Sequence, residues 1–555
     1  MKNNNYFLQN LAQNSISKTV SDKMQDAMNI GIAEGFCRNG DIEDGLKLYE
    51  IIQEKNKTLS NKNVINDIRN LASVLFKEKK YTNALIQYKR LLNFTELLPQ
   101  EYFYIAFCLA ELGQNEFVLD FLKKYEELSS DKLKALGDIS ELLGLKLKMY
   151  DEAILYLEKY ISICTENALA FNTLGHFYSR LGEDSFLEKQ LKLFSKAHEL
   201  NPNNPIYIRN IIMVCEKLDK LDCAETYYKK LMKLNPKHSD KYDYGCLLLR
   251  KGELSKGYEL MQNRFFAPEI IVKYPSWLDK EKRLKSLNGL SDKTVLLFHE
   301  AGYGDSFMYV RFVEEFKKYV KKVILFVPQR MISLFKSSNI AEEIYPMTED
   351  LSSFDYDFNA SFVDLPFLLS IEKDSIIKTD GYLKVSEKKV QEFKNKYLKN
   401  SKNFKIGISY CMNPKYNNLT GRDIPLECFY PLTKILGVEI FSLQVKDPKN
   451  QINNLPQNIK IVDLAKHFKD FEDTAAAIKN MDLIITTDNV ILNLAGALNV
   501  KTFALFNRFY DPRWFNLQGE NVIWYDSVKP YRASSFNGWD DLIKNVIKDL
   551  QPLVD

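Results

Sequence analysis

Thr294-Val-Leu-Leu-Phe298 runs straight into His299-Glu-Ala-Gly-Tyr-Gly-Asp305, and these twelve residues decide how the second half of the chain folds. A short apolar run with β-branched members reads as a buried strand. The loop that follows has Gly302 and Gly304, which let the backbone pass close to a ligand, and a helix after it points N–H groups at that ligand. Asp305 has two readings here, a side chain facing the ligand or an N-cap for a helix starting near Ser306. No Gly-Lys-Ser/Thr follows, so this is not a Walker A loop, and the spacing is not Gly-x-Gly-x-x-Gly.

Outward from this stretch, a helical pattern over 310–319 leads to a second strand, Val323-Ile-Leu-Phe-Val327, stopped by Pro328. Strand, helix, strand in this order predicts a βαβ unit and a parallel sheet. A second set opens at Lys405-Ile-Gly-Ile-Ser409 and runs through Glu439-Ile-Phe-Ser-Leu443 and Asp482-Leu-Ile-Ile-Thr486. A helix over 489–498 and Thr502-Phe-Ala-Leu-Phe506 complete it. The expectation is two Rossmann-like halves, 294–401 and 402–555, with ligands at the carboxyl ends of their strands. Residues 268–293 read as a linker that docks by Trp277.

Residues 1–267 read differently. Asn201-Pro202 and Asn235-Pro236 close two amphipathic segments, and their prolines stand 34 residues apart. That is the period of the tetratricopeptide (TPR) helix-turn-helix, whose proline ends the second helix. Counting back from Pro236 gives Ala224, Tyr228 and Leu231, and the same offsets recover Ala153, Leu157 and Tyr160, then Val118, Leu122 and Tyr125, then Ala84, Tyr88 and Leu91. Gly45, Tyr49 and Ile52 make a looser first copy, Gly257 and Met261 a last one, and Phe171, Leu174, Gly175 and Tyr178 match first-helix positions. About seven such units, stabilised by stacking, form an all-α solenoid. These residues belong to the stacking core, so a concave surface binding a protein or peptide would use other positions; dimerisation through the solenoid is a third use.

Composition narrows the classes. The 555 residues carry 76 Lys+Arg against 73 Asp+Glu, a net charge of +3 that gives no electrostatic case for nucleic acid. No signal-peptide core follows Met1, and no run of about 18 apolar residues predicts a membrane span. The eight cysteines form no close CxxC pair and read as reduced thiols, which suits a cytoplasmic protein. Five histidines without ligand spacing leave metal catalysis little support.

Two further loops lie at strand ends. Thr487-Asp488-Asn489 precedes Val490-Ile-Leu-Asn-Leu-Ala-Gly-Ala-Leu498, and free N–H groups at that helix start suit a diphosphate. A capping role for Asp488 or Asn489 is compatible with this. Residues 409–423 hold Asn413-Pro-Lys-Tyr and Thr420-Gly-Arg-Asp423. There Arg422, more than Lys415, is suited to phosphate oxygens because a guanidinium binds them bidentately. Tyr525, Lys529, Tyr531 and Arg532 read as a loop before the last helix, either touching a donor or simply exposed.

Glu300-Ala-Gly-Tyr-Gly-Asp-Ser-Phe-Met-Tyr-Val-Arg-Phe312 resembles the opening of bacterial TPR-glycosyltransferase fusions related to the ADP-heptose:lipopolysaccharide heptosyltransferases. Phe441-Ser-Leu-Gln444, Phe471-Glu-Asp-Thr-Ala-Ala-Ala-Ile478, Asp482-Leu-Ile-Ile-Thr-Thr-Asp488, Leu494-Ala-Gly-Ala-Leu498 and the Trp277 lead-in resemble it as well. The resemblance implies a GT-B fold, a nucleotide-sugar donor held mainly by the second half, and inverting transfer without metal or cofactor. Under it, Asp305 of Gly304-Asp305 is the general base, and Asp488, Asn489 and Val490 meet the donor diphosphate beside Gly302 and Gly304. Arg422 then balances leaving-group charge. Asn493 stands where the family has histidine, and Asp488-Asn489 where it has Asp-Thr.

The leading expectation is a glycosyltransferase whose solenoid presents a protein or peptide acceptor. One alternative is a TPR scaffold with a degenerate transferase fold, favoured by Asn493. Another is a heptosyltransferase of the lipopolysaccharide core.

Overall fold

The computed structural model describes residues 61–92, 95–267, 274–348, 350, 354–376, 380–398, 402–412, 421–508, 510–515, 517, 522–535 and 538–554, with only the backbone at 61–64 and 67. The expected repeat at Gly45, Tyr49 and Ile52, the start of the linker, and most of the 409–423 loop with Lys415 lie outside these residues. The chain divides into two compact units, 1–202 and 203–555.

Four helical hairpins make up the described part of the first unit. Asn61–Lys77 pairs with Tyr81–Leu91, Pro99–Glu111 with Val118–Leu128, Lys132–Glu141 with Tyr150–Ile163, and Ala168–Leu181 with Leu187–Leu200. Ala84, Tyr88, Leu91, Val118, Leu122, Tyr125, Ala153 and Leu157 are all buried, while Tyr160 is half-buried. Small residues let the helices close: a Cβ on Gly175 would lie 2.5 Å from the Phe194 ring. Asp131 and Asn167 cap helix starts by accepting from the amides of Lys134 and Ala170.

Two more hairpins open the second unit, Pro205–Lys217 with Leu221–Leu231 and His238–Lys251 with Leu254–Met261. Ala224, Tyr228, Leu231, Gly257 and Met261 are buried there. Cys215 and Cys223, which sequence spacing leaves unpaired, face each other across the first of these hairpins with sulfurs 2.7 Å apart.

Two wholly parallel sheets follow. The first has β1 (Thr294–Phe298), β2 (Lys322–Val327), β3 (Glu343–Pro346) and β4 (Phe358–Ser361) in the order β3-β2-β1-β4. The second has β5 (Phe404–Ser409), β6 (Val438–Ser442), β7 (Val462–Asp463), β8 (Leu483–Thr487), β9 (Thr502–Phe506) and β10 (Val528–Arg532), ordered β10-β9-β8-β5-β6-β7. The order reverses between β1 and β4 and between β5 and β8, the places where an open α/β sheet leaves room for a ligand. Four helices matter for the site: α1 (Tyr303–Tyr309), α2 (Phe471–Lys479), α3 (Val490–Ala497) and α4 (Trp539–Val554). The solenoid-plus-paired-sheet, GT-B-like architecture expected from the sequence is thus present.

Three local expectations change. The first helix starts at Tyr303, before the expected 310–319, and 3₁₀ turns interrupt it from Val310 onward. Its N-cap is Gly302, not Asp305. Residues Val528–Arg532 form edge strand β10, not a loop; Tyr531 and Lys529 bind Asp549 of α4 at 2.8 and 2.7 Å. An edge position tolerates Pro530, which has no N–H for a ladder.

The last hairpin is built into the α/β region. Arg264 is 2% exposed and grips Glu300 with two bonds of 2.6 and 2.7 Å, and Asp364 with one of 2.8 Å. Burial of all three partners is tolerable because each charge is paired and bonded. Trp277 lies against Phe298 and Phe326, ring centroids 6.2 Å away in both cases.

Candidate functional site

β1 ends at the loop 299–302, where Ala301 takes the left-handed conformation at φ 63° before α1 begins. That backbone costs a non-glycine residue roughly 1 kcal/mol. It turns Glu300 inward to Arg264 and leaves α1 to start at the sheet's carboxyl end. Asp305, three residues past the N-cap, accepts from the Gly302 amide at 3.0 Å through Oδ2. One oxygen therefore caps the helix, and the other, Oδ1, is turned toward the second half. Beside it, His299 sits with Nδ1 2.8 Å from Ser306 Oγ, and burial pushes the imidazole down to about 4, so it is neutral at physiological pH.

In the second half, β5 and β8 diverge at the switch point and Asn489 bridges them. Its Oδ1 caps α3 by accepting from Ile491 at 2.9 Å, while its Nδ2 donates to Ser409 Oγ at 2.9 Å and Cys411 O at 3.3 Å. The Asn489 side chain is thereby committed to the protein. What remains available at this turn is the backbone of Val490.

Asp488 is 4% exposed. Trp514 Nε1 donates to its Oδ1 at 2.8 Å, and Arg422 Nη1 stands 3.0 Å from its Oδ2. Burial pushes the carboxyl up to about 6, against the pull of Arg422 and of the Trp514 bond. Arg422 in turn is held above its ordinary range despite burial by Asp488 and Asp511. Its position is fixed by neighbours: Asn507 donates to Gly421 O at 2.7 Å, and Asp423 accepts from the Met412 amide at 2.8 Å.

These residues form one line of alternating charge. Asp488 pairs with Arg422, whose Nη2 reaches Asp511 at 3.0 Å. Asp511 clamps Arg513 with two bonds of 2.8 and 2.9 Å, and Arg513 Nη1 meets Asp305 Oδ1 of the first half. Asp305, Arg422 and Asp488, expected at the site from sequence, are thus brought into one chain of contacts. Asp511 and Arg513 complete it and were not expected. The available signal was position: their loop leaves the carboxyl end of β9, where ligand-facing groups gather in such sheets.

Gly304 and Asn493 also meet, as a packing contact. A Cβ on Gly304 would stand 2.8 Å from Asn493 Nδ2 and 3.7 Å from Val490 Cα, so α1 crosses directly over the first turn of α3. Asn493 is 3% exposed, and its Oδ1 accepts from Tyr525 OH at 3.1 Å. Tyr525 is itself buried, its ring flat on Gly496. Among the described residues, no group of three or more His, Cys, Asp or Glu could hold a metal ion, and no helix is long and apolar enough to cross a membrane.

No family model matches the chain. Protein FlbA of Caulobacter vibrioides is 22% identical over 482 residues, which cover 79% of this chain and 76% of FlbA. A TPR repeat-containing protein of Methanocaldococcus jannaschii is 27% identical over 172 residues, 29% of each chain. The solved structure of a glycosyl transferase family 9 protein from Veillonella parvula is similar over 48% of this chain and 98% of that one, with 12% identity and a TM-score of 0.37.

Proposed function

We propose that the chain is a glycosyltransferase that binds a nucleotide-sugar between its two α/β halves and moves the sugar to a hydroxyl of a polypeptide acceptor. The observation that carries this reading is the line from Asp305 to Asp488. A carboxylate from one half and a guanidinium–carboxylate pair from the other meet at facing strand ends, beside the start of α3. A base for the acceptor and cations for a leaving diphosphate are the two things the reaction needs.

In this reading the acceptor oxygen attacks the anomeric carbon while Asp305 takes its proton. The bond between that carbon and the diphosphate oxygen breaks, and its electron pair leaves with the nucleoside diphosphate. Arg422 and the N–H groups at the start of α3 stabilise the charge that develops there. Single displacement from the far face inverts the anomeric centre. The helical hairpins support a polypeptide acceptor, since such repeats bury one face by stacking and keep another for partners; a lipopolysaccharide-core acceptor rests on the resemblance alone.

Incubation of the full chain with UDP-, GDP-, ADP- and CMP-sugars in EDTA, with release of nucleotide as readout, tests this. Asp305→Ala is expected to lower turnover at least about 100-fold while thermal stabilisation by the donor persists. Arg422→Gln is expected to weaken that stabilisation. Equal turnover by Asp305→Ala removes the assigned base. A scaffold that binds donor without turnover is the second reading. It is favoured by Asn493, which is buried under Gly304 and bonded to Tyr525, where the resembling family has a histidine. Stabilisation without release, with every candidate acceptor, would establish it.

A further inference from the structure

Arg513 is placed to do more than complete a line of charges. Its Nε and Nη2 are fixed by both oxygens of Asp511, while Nη1 makes a one-pronged contact with Asp305. Because Gly304 lies over the first turn of α3, this contact stands at the helix start that faces the donor diphosphate in the reading above.

The loop bearing Arg513 is held from behind by the last helical hairpin. Phe515 lies 3.5 Å from where a Cβ of Gly252 would be, and the Arg250 guanidinium covers the Tyr510 ring at 5.3 Å. Arg250 is itself paired with Asp219 at 2.8 Å, and Trp514 and Phe515 share a core with Leu249, Leu254 and Tyr258. The root of Arg513 is therefore fixed, and Nη1 is the nitrogen whose partner can change.

Charge count sets what a diphosphate would meet. Three carboxylates, Asp305, Asp488 and Asp511, share two guanidiniums, Arg422 and Arg513. Within these five residues both guanidiniums are already paired, so a dianion that binds Arg422 or Arg513 competes with a carboxylate. The two-pronged contact with Asp511 is local and bidentate. The contact with Asp305 uses one nitrogen only and the two pairs are equally exposed, so the one-pronged contact is the one to yield.

We propose that Arg513 is a positioning residue for which Asp305 and the donor diphosphate compete. Without donor it holds the carboxylate away from an acceptor hydroxyl; the diphosphate takes Nη1 in place of Asp305, while Asp511 keeps Nε and Nη2, and this releases the base. Donor binding then precedes acceptor activation, and the base is exposed only when a sugar is in place. The inference rests on the donor-site reading of the same residues.

A double-mutant cycle on nucleoside diphosphate affinity tests it, using UDP, GDP, ADP and CDP with the full chain in EDTA and calorimetry as readout. Asn keeps the bond to the Gly302 amide, so Asp305→Asn leaves α1 capped. It removes the competing charge, and the nucleotide that binds the wild type is expected to bind about tenfold tighter. Arg513→Gln is expected to weaken binding about tenfold, and in the double variant the gain from Asp305→Asn should vanish. A merely structural role for Arg513 predicts no tightening in Asp305→Asn. Unchanged affinity there, or a gain that persists without Arg513, overturns the competition while leaving the donor site standing. Absence of binding by all four nucleotides to the wild type overturns the donor site and the competition together.

Discussion

Burial drives the Asp488 carboxyl from 3.8 to about 6, although Arg422 stands 3.0 Å away and Trp514 donates to it. An acid with a raised value in the fold keeps its proton over about pH 4 to 6, where the unfolded chain has already lost it. The stability it confers is therefore present at the acid end of that window, falls as pH rises through it, and is level above about 6. A shift of two units corresponds to about 3 kcal/mol. Asp488→Asn keeps an acceptor for Trp514 and removes the titration. Urea midpoints of the wild type should fall between pH 4 and 6 relative to those of Asp488→Asn. Parallel profiles would show that Arg422 offsets the burial entirely. The same proton couples to the site: below about pH 6 a neutral Asp488 leaves more of Arg422 for an anion. Asp511 and Arg513 belong to this scale and escaped the sequence, because residues 305, 422, 488, 511 and 513 become neighbours only when two sheets meet. Asp305 shows the converse. One acidic residue near a helix start is equally consistent with the cap itself and with the third position behind it, where it bonds back to the Gly302 amide.

Between elements, α1 crosses close over α3, made possible by a missing side chain. A methyl group at Gly304 would sit 2.8 Å from Asn493 Nδ2, inside contact distance, so the buried Asn493 amide or one of the helices must shift. Gly304→Ala is expected to cost about 1–3 kcal/mol in denaturant unfolding. Adding Asn493→Ala, which clears the obstructing amide, should recover part of that. If Gly304→Ala unfolds like the wild type, the helices do not meet this closely. Sequence pattern found the elements that carry this crossing, because β1, β2, β5, β6, β8 and β9 each hold at least three consecutive buried, mostly apolar residues. It missed β3, β4, β7 and β10, and for β4 and β10 the reasons are physical. β4 buries Asn359, whose amide bonds Asp279 O and the Tyr274 hydroxyl, so its polar residues are satisfied by the linker and not by solvent. β10 contains Pro530 and lies at an edge, where neither face offers an uninterrupted apolar run.

At the scale of the molecule, the last two helical hairpins belong to the same compact unit as the α/β sheets, the unit that starts at Asn203. Arg264 is one physical reason. It neutralises Glu300, directly after β1, and Asp364, just past β4, and these carboxylates are 6% and 1% exposed. Despite its burial, Asp364 is held below its ordinary value by Arg264 and Arg283, so what it contributes is in place above the ordinary carboxylate range and is lost on acidification. No residue of the α/β halves shows in sequence that its partner lies in the 3₁₀ turn directly after the last hairpin. Loss of Arg264 would leave Glu300 buried without its ion pair and Asp364 with Arg283 alone, a cost of about 3–5 kcal/mol. Arg264→Met should therefore destabilise the second unit by that order, and Arg264→Met with Glu300→Met should recover part of it by restoring apolar contact. For the same reason a fragment spanning 203–555 is expected to unfold cooperatively and keep nucleotide affinity. One spanning 268–555 should do neither, since it loses Arg264 together with the Arg250 and Gly252 surface under Tyr510 and Phe515. Full nucleotide affinity in the shorter fragment would show that the hairpins only adjoin the site; its loss would make them part of it.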